Sequence, residues 1–216
     1  MTTNNPMRTF DDSRRWATDG TAMLTTAIEQ LDASGIAAGS QLPGWTRKHV
    51  VGHVAANADA LGNLISWAET GIEKRMYAST EQRNADIERA ATLPADELLT
   101  WYARGATALE GAFDRLTPQQ WQHEVITAQG VTRQASDVPW MRAREVFVHA
   151  VDLGTGLGFA DLPDDFLTAL ADEIRVKRGL SEDDLRAVSG SLPDVTAWLA
   201  GRPHGIADAP ELGPWL

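Results

Sequence analysis

Glu145 and His149 stand four residues apart in the stretch Trp140-Met-Arg-Ala-Arg-Glu-Val-Phe-Val-His-Ala-Val-Asp152. A carboxylate and an imidazole at that spacing share one helix face, so both point into whatever Val146, Phe147, Val148 and Val151 pack around. Polar groups on a buried helix are costly unless something holds them, and a metal ion is one such partner. Upstream, His49, His53 and Asn57 follow one another at i+4 steps behind Thr46. Among the five histidines, no other pair combines ligand spacing with an acid on an apolar helix. Bundle cores hold metals through ligands that project inward from facing helices. Histidines with one carboxylate suit zinc, nickel or iron, and zinc with three protein ligands and an open position is the usual Lewis-acid arrangement. Spacing alone leaves other readings open. Each histidine could be a hydrogen-bonded core residue, Glu145 could pair with Arg142, Arg144 or an arginine of another helix, and helix position does not choose between His49 and His53.

Those side chains need helices to carry them. Trp16, Met23, Leu24, Ile28 and Leu31 predict an amphipathic helix over 11–31, ended by Gly35 to Gly39. Pro43-Gly-Trp45 leads into Thr46 as the N-cap of a second helix, whose Val50, Val54, Leu61, Leu64, Ile65 and Trp67 run on to Gly71. A polar, partly helical connector over 73–91 precedes a third helix over 97–116. A long polar link, 117–139, then leads to a fourth helix over 139–153, which the glycines at 154, 156 and 158 terminate. Four long helices predict a bundle. Beyond Pro163 the spacing predicts a helix over 164–178, a strand over 187–190 and a short helix over 192–201. Together these make a small α/β appendage, and they divide the chain into domains 1–160 and 161–216.

Composition narrows the function classes. The chain has 30 acidic and 19 basic residues, a net charge of −11, which leaves no basic surface for a phosphate backbone, so nucleic acid is not an expected partner. No run approaches the ~18 apolar residues of a membrane span, and residues 1–10 lack the apolar core of a signal peptide. There is no cysteine, so disulfides, thiolate ligands and a cysteine nucleophile are excluded, and thiol chemistry would need an external thiol. That fits a cytoplasmic location. Eight scattered tryptophans read as helix-packing residues. No nucleophile elbow, Walker A loop, dinucleotide fingerprint or H-E-x-x-H occurs. Candidate anion contacts are Arg83 and Arg202; the latter stands in a segment with 11 acidic and 5 basic residues from Asp161 onward.

Four blocks occur together in one order. They are Leu42-Pro-Gly-Trp-Thr-Arg-Lys-His-Val-Val-Gly-His-Val-Ala-Ala-Asn-Ala-Asp-Ala-Leu61, Met76-Tyr-Ala-Ser-Thr-Glu-Gln-Arg-Asn84, His123-Glu-Val-Ile-Thr-Ala-Gln-Gly130 and Trp140 to Leu153. In this combination the chain resembles the mycothiol-dependent maleylpyruvate isomerase family over nearly its whole length. The resemblance implies a mainly α protein: a DinB-like four-helix bundle followed by a small, shortened C-terminal α/β domain. It implies a divalent metal, usually zinc, on His53, Glu145 and His149, with His49 not a ligand. Arg202 matches an important arginine of the family and becomes a candidate contact for substrate or thiol. The implied activity is mycothiol-dependent conversion of maleylpyruvate to fumarylpyruvate in gentisate-type aromatic degradation. Arg83 and Arg202 are then candidate carboxylate anchors, and Asn57, one turn beyond His53, is a candidate second-layer or cofactor contact. Two other classes stay in view: a mycothiol S-transferase acting on another electrophile, and a non-catalytic metal-binding module. Partners are a small substrate and mycothiol. The sequence gives no oligomeric state, and a monomer is compatible with it. The segment 177–188 is shorter than the family pattern, whereas Val188-Ser-Gly-Ser-Leu192 and Pro214-Trp-Leu216 fit it.

Overall fold

The computed structural model describes residues 8–213 and Trp215, so the reading of residues 1–7 and the match at Pro214 and Leu216 lie outside the described residues. The order of elements is α1 (Phe10–Glu29), α2 (Ala33–Ala37), α3 (Arg47–Thr70), α4 (Thr80–Thr92), α5 (Ala95–Arg115), β1 (Glu124–Ile126), β2 (Thr132–Gln134), α6 (Val138–Asp152), α7 (Asp164–Arg178), α8 (Glu182–Ala187) and α9 (Leu192–Leu199). Contacts divide it into two compact units, Phe10–Thr155 and Gly156–Leu216, the latter with the N-terminal residues before Phe10.

In the first unit α1 packs along α6, α3 along α5, and α3 against both α4 and α6. α3 is therefore the central helix, which explains why it buries residues on every side, from Val50, Val51 and Val54 to Leu61, Leu64 and Ile65. Each such aliphatic side chain contributes about 1.5–3 kcal/mol by leaving water. The close approach of α4 depends on Gly52, where an added Cβ would lie 2.2 Å from the Ala90 methyl. That contact carries the helix bearing Arg83 toward the face that holds His53.

The sequence reading meets the structure closely in the long helices. The connector over 73–91 contains α4, whose N-cap Ser79 accepts a hydrogen bond from the Gln82 amide. The long polar link holds a two-stranded antiparallel hairpin, with Val125 opposite Arg133. Four of the eight tryptophans, Trp16, Trp121, Trp140 and Trp198, are buried in the core, with Trp16 and Trp140 5.6 Å apart between α1 and α6.

In the second unit α7 packs on α9. The strand expected over 187–190 is not formed: α8 extends to Ala187, Val188 caps it, and the described residues of this unit contain no strand. Ser181 explains the difference, because its side chain and that of Asp184 cap the helix reciprocally and commit the segment to helical geometry.

Candidate metal centre

α3 and α6 build the centre by placing His53 opposite Glu145 and His149. The α3 start is set by Thr46, whose backbone N–H donates to Nδ1 of His49 at 3.1 Å while its hydroxyl lies 2.7 Å from the same nitrogen. His49 is thus engaged in capping its own helix, and its Nε2 lies 3.6 Å from the exposed Glu88 carboxylate. One turn on, His53 is buried. Trp45 lies against both rings, stacked on His49 at 6.0 Å and edge-on to His53 at 5.7 Å. It follows Gly44, whose φ of +79° is a left-handed turn that glycine takes without strain.

The end of α6 is fixed by Arg47, which donates to the carbonyls of Leu153 at 2.6 Å, Gly154 at 2.8 Å and Gly35 at 2.9 Å. A guanidinium here satisfies orphan carbonyls at a helix C-terminus. One turn earlier His149 is fully enclosed. Its Nδ1 bonds the carboxylate of Asp152, itself 0% exposed, at 2.8 Å.

The donor atoms of His53, Glu145 and His149 all lie within 4.8 Å of one another. Glu145 Oε2 is 2.9 Å from His53 Nε2 and 3.4 Å from His149 Nε2, and the two imidazoles stand at 90°. Two ligands on one tetrahedral zinc are separated by roughly 3.3 Å, given metal–ligand bonds of about 2.0–2.1 Å. His149 supplies the stronger test of fit. With Nδ1 bonded to Asp152, its Nε2 is directed at the centre, and although Glu145 is near, the geometry is not a hydrogen bond and the atom has no other partner. An imidazole with one nitrogen on a carboxylate and the other free is the arrangement of a metal-ligating histidine. Two imidazoles and a carboxylate therefore fit a divalent ion.

Electrostatics without a metal follow from the same contacts. Burial disfavours charge on His149, but Asp152 and Glu145 override it and carry its pKa up to about 9. Burial lowers His53 despite the pull of Glu145, so its ring is neutral. Burial works against ionising Glu145, yet the two histidines hold it well below the ordinary carboxylate range. Arg83 Nη2 lies 3.4 Å from His53 Nδ1, which leaves His53 Nε2–H to donate to Glu145.

The other sequence candidates fall in different places. Asn57 is buried, and its Oδ1 accepts from Arg142 Nη1 at 3.0 Å, while the same nitrogen reaches the Val54 carbonyl at 2.9 Å. Arg142 thus ties α6 to α3, and it does not pair with Glu145. Arg202 lies in the second unit just after α9, buried, with Nη1 donating to the Ala200 carbonyl. Sequence reasoning missed Asp152 as a partner of His149, although the i+3 spacing on one helix face was a usable signal. It also missed Arg142 as a core residue.

Residues 17–154 match the family described as mycothiol maleylpyruvate isomerase N-terminal domain. The chain is similar, at 36% identity over 100% of both chains and with a TM-score of 0.89, to the crystal structure of the mycothiol-dependent maleylpyruvate isomerase. It matches the structure of a histidine-to-alanine mutant of that isomerase equally well. No curated protein sequence matches it. With the fold shared from end to end and the family's N-terminal domain spanning the bundle, the chain belongs to the mycothiol maleylpyruvate isomerase family.

Proposed function

We infer that this chain is a metal- and mycothiol-dependent cis–trans isomerase that converts maleylpyruvate to fumarylpyruvate. The observation that carries the reading is the oriented, unsatisfied Nε2 of His149 beside Glu145 and His53, in a chain that aligns end to end with that isomerase. A divalent ion, which we take to be zinc, would supply Lewis acidity that ionises a thiol, and mycothiol would supply the sulfur that adds reversibly to the cis double bond and frees it to rotate.

The chain's own residues have distinct parts. His53, Glu145 and His149 hold the ion, and Asp152 fixes the His149 ring through Nδ1. Arg83 presents a guanidinium beside His53, where its fork suits a substrate carboxylate. Asn57 acts one layer back, through Arg142. Arg202 is carried forward as an anion-binding residue of the C-terminal unit, on the strength of its family resemblance and of a buried guanidinium in an acidic segment. We assign the bundle, 1–160, the metal chemistry and 161–216 the appended domain. No described helix is long and apolar enough to cross a membrane, and the cysteine-free composition suits a cytoplasmic enzyme that borrows its thiol.

The test is direct. Zinc-loaded protein is mixed with mycothiol and maleylpyruvate, and both product geometry and free thiol are followed. Fumarylpyruvate formed with thiol returned in full supports the isomerase. Thiol consumed in step with substrate would replace it with a transferase, and no change in either would end the catalytic reading.

A further inference from the structure

A cavity of about 360 Å³ is lined by Arg75, Tyr77, Arg83 and Thr127, among others, and no acidic residue lines it. In a chain of net charge −11 a pocket with two guanidinium groups and no carboxylate is selective for an anion. Arg75 is committed to Glu73. Arg83 has no carboxylate partner among the described residues; it contacts the Asn84 side chain at 3.2 Å and His53 Nδ1 at 3.4 Å. Arg83 therefore borders both the cavity and the metal centre.

The walls are fastened. The Asn63 amide donates to the Arg75 carbonyl at 3.1 Å, which ties the loop after α3 to that helix. The Ala128 N–H lies 3.2 Å from Met76 Sδ, which joins the hairpin turn to the same loop. Tyr77 is half-buried between them, with the Arg83 guanidinium carbon 6.0 Å from its ring centre. Burial, then the charge of Glu145, push its hydroxyl up to about 12, against the opposing pull of Arg83. At neutral pH it is a proton-bearing donor beside the Arg83 guanidinium, which itself reaches His53.

We propose that Tyr77 is a further substrate-contacting residue: its hydroxyl, beside Arg83, donates a hydrogen bond to the substrate carbonyl oxygen that becomes negative when a thiol adds to the conjugated double bond. The proposal rests on the isomerase reading above. As the C–S bond forms, the π pair of the C=C bond shifts onto that oxygen; when the pair returns, the double bond re-forms and the thiolate leaves. Tyr77 keeps its proton throughout, and no oxidant, reductant or net proton is needed. A preorganised donor at such an oxygen accelerates the step because charge develops there only in the transition state and the adduct.

The experiment compares the zinc-loaded wild-type protein with Tyr77→Phe, which keeps the ring against Arg83 and removes only the hydroxyl. We expect kcat to fall roughly 10²-fold with KM within about 2-fold, as for loss of one oxyanion donor. Metal content should be unchanged, and so should inhibition by maleate, which carries the carboxylates without the ketone. Unchanged kcat, lost metal, or a weakened maleate constant with kcat intact would each overturn the proposal, the last by moving Tyr77 to a carboxylate. A wild-type protein without turnover would defeat the isomerase reading itself and is detected before the variant is examined.

Discussion

Two regions of the bundle differ in chemistry: a roomy cavity between α1 and α5, and the centre that α3 and α6 build. Between α1 and α5 lies a cavity of about 760 Å³, lined by Thr18, Thr21, Thr25, Ile28, Leu99 and Tyr102 among others. Several of its polar groups are already paired: Thr21 and Thr25 donate to the carbonyls one turn back, and Tyr102 bonds Thr25 at 2.9 Å. The centre between α3 and α6 is built differently. It gathers two imidazoles, a carboxylate and a supporting Asp152 in the core, with one nitrogen left unsatisfied. A ligand is recruited by convergent groups that lack partners, since burying them unpaired is costly, and volume alone recruits nothing.

That contrast breaks first at the ligands. His53→Ala, Glu145→Ala and His149→Ala are each expected to lose stoichiometric metal and to lower turnover by roughly 10³-fold, the scale of several kcal/mol of Lewis-acid stabilisation. Retention of one metal per chain, by elemental analysis, would undo the assignment. Asp152→Asn should be milder, weakening metal affinity about 10- to 100-fold while leaving a site that still fills, because the amide can no longer hold His149 as a carboxylate does. Competitive titration against a chelator measures this.

The pH dependence is sharper in sign. His149 has its pKa raised to about 9, so at neutral pH the metal must displace a proton. Metal affinity should rise about tenfold per pH unit and level off near pH 9, with one proton released per ion below that point. Calorimetry in buffers of different ionisation enthalpy reads the proton count, and a flat profile would contradict it. For the metal-free protein the slope reverses. The charged ring stabilises the fold fully below its ordinary pKa of 6.5, and that contribution is lost as pH rises through about 9, so apo melting temperatures fall over that interval. The smallest effect belongs to the other opening: Ala106→Leu, which intrudes on the α1/α5 cavity, should leave metal content unchanged and turnover within about 2-fold. A tenfold loss would make that cavity part of the site.

The long helices were legible because apolar spacing reports a buried face directly. Glu145 and His149 were legible as a pair for the same reason, since i and i+4 on one helix need no tertiary information. The choice between His49 and His53 was not, because both sit on the same stripe; family resemblance favoured His53. The structure adds a physical ground, in that Nδ1 of His49 is used to cap α3. The strand expected over 187–190 failed because a short-range cap, Ser181 with Asp184, outweighed a weak β pattern.

By itself, then, the sequence determined that the chain is a mainly α bundle, that it has no thiol of its own, and that an acid and an imidazole share the face of one helix. These are properties of composition and local period. Only the tertiary structure decided that His53 on α3 meets that face, that Asp152 turns the free nitrogen of His149 inward, and that Arg142 is taken by Asn57 and the Val54 carbonyl while Arg83 stands at the centre. Those outcomes depend on how closely two helices approach. That distance is set by side chains far apart in the chain, such as Gly52 against Ala90, and no local pattern records it.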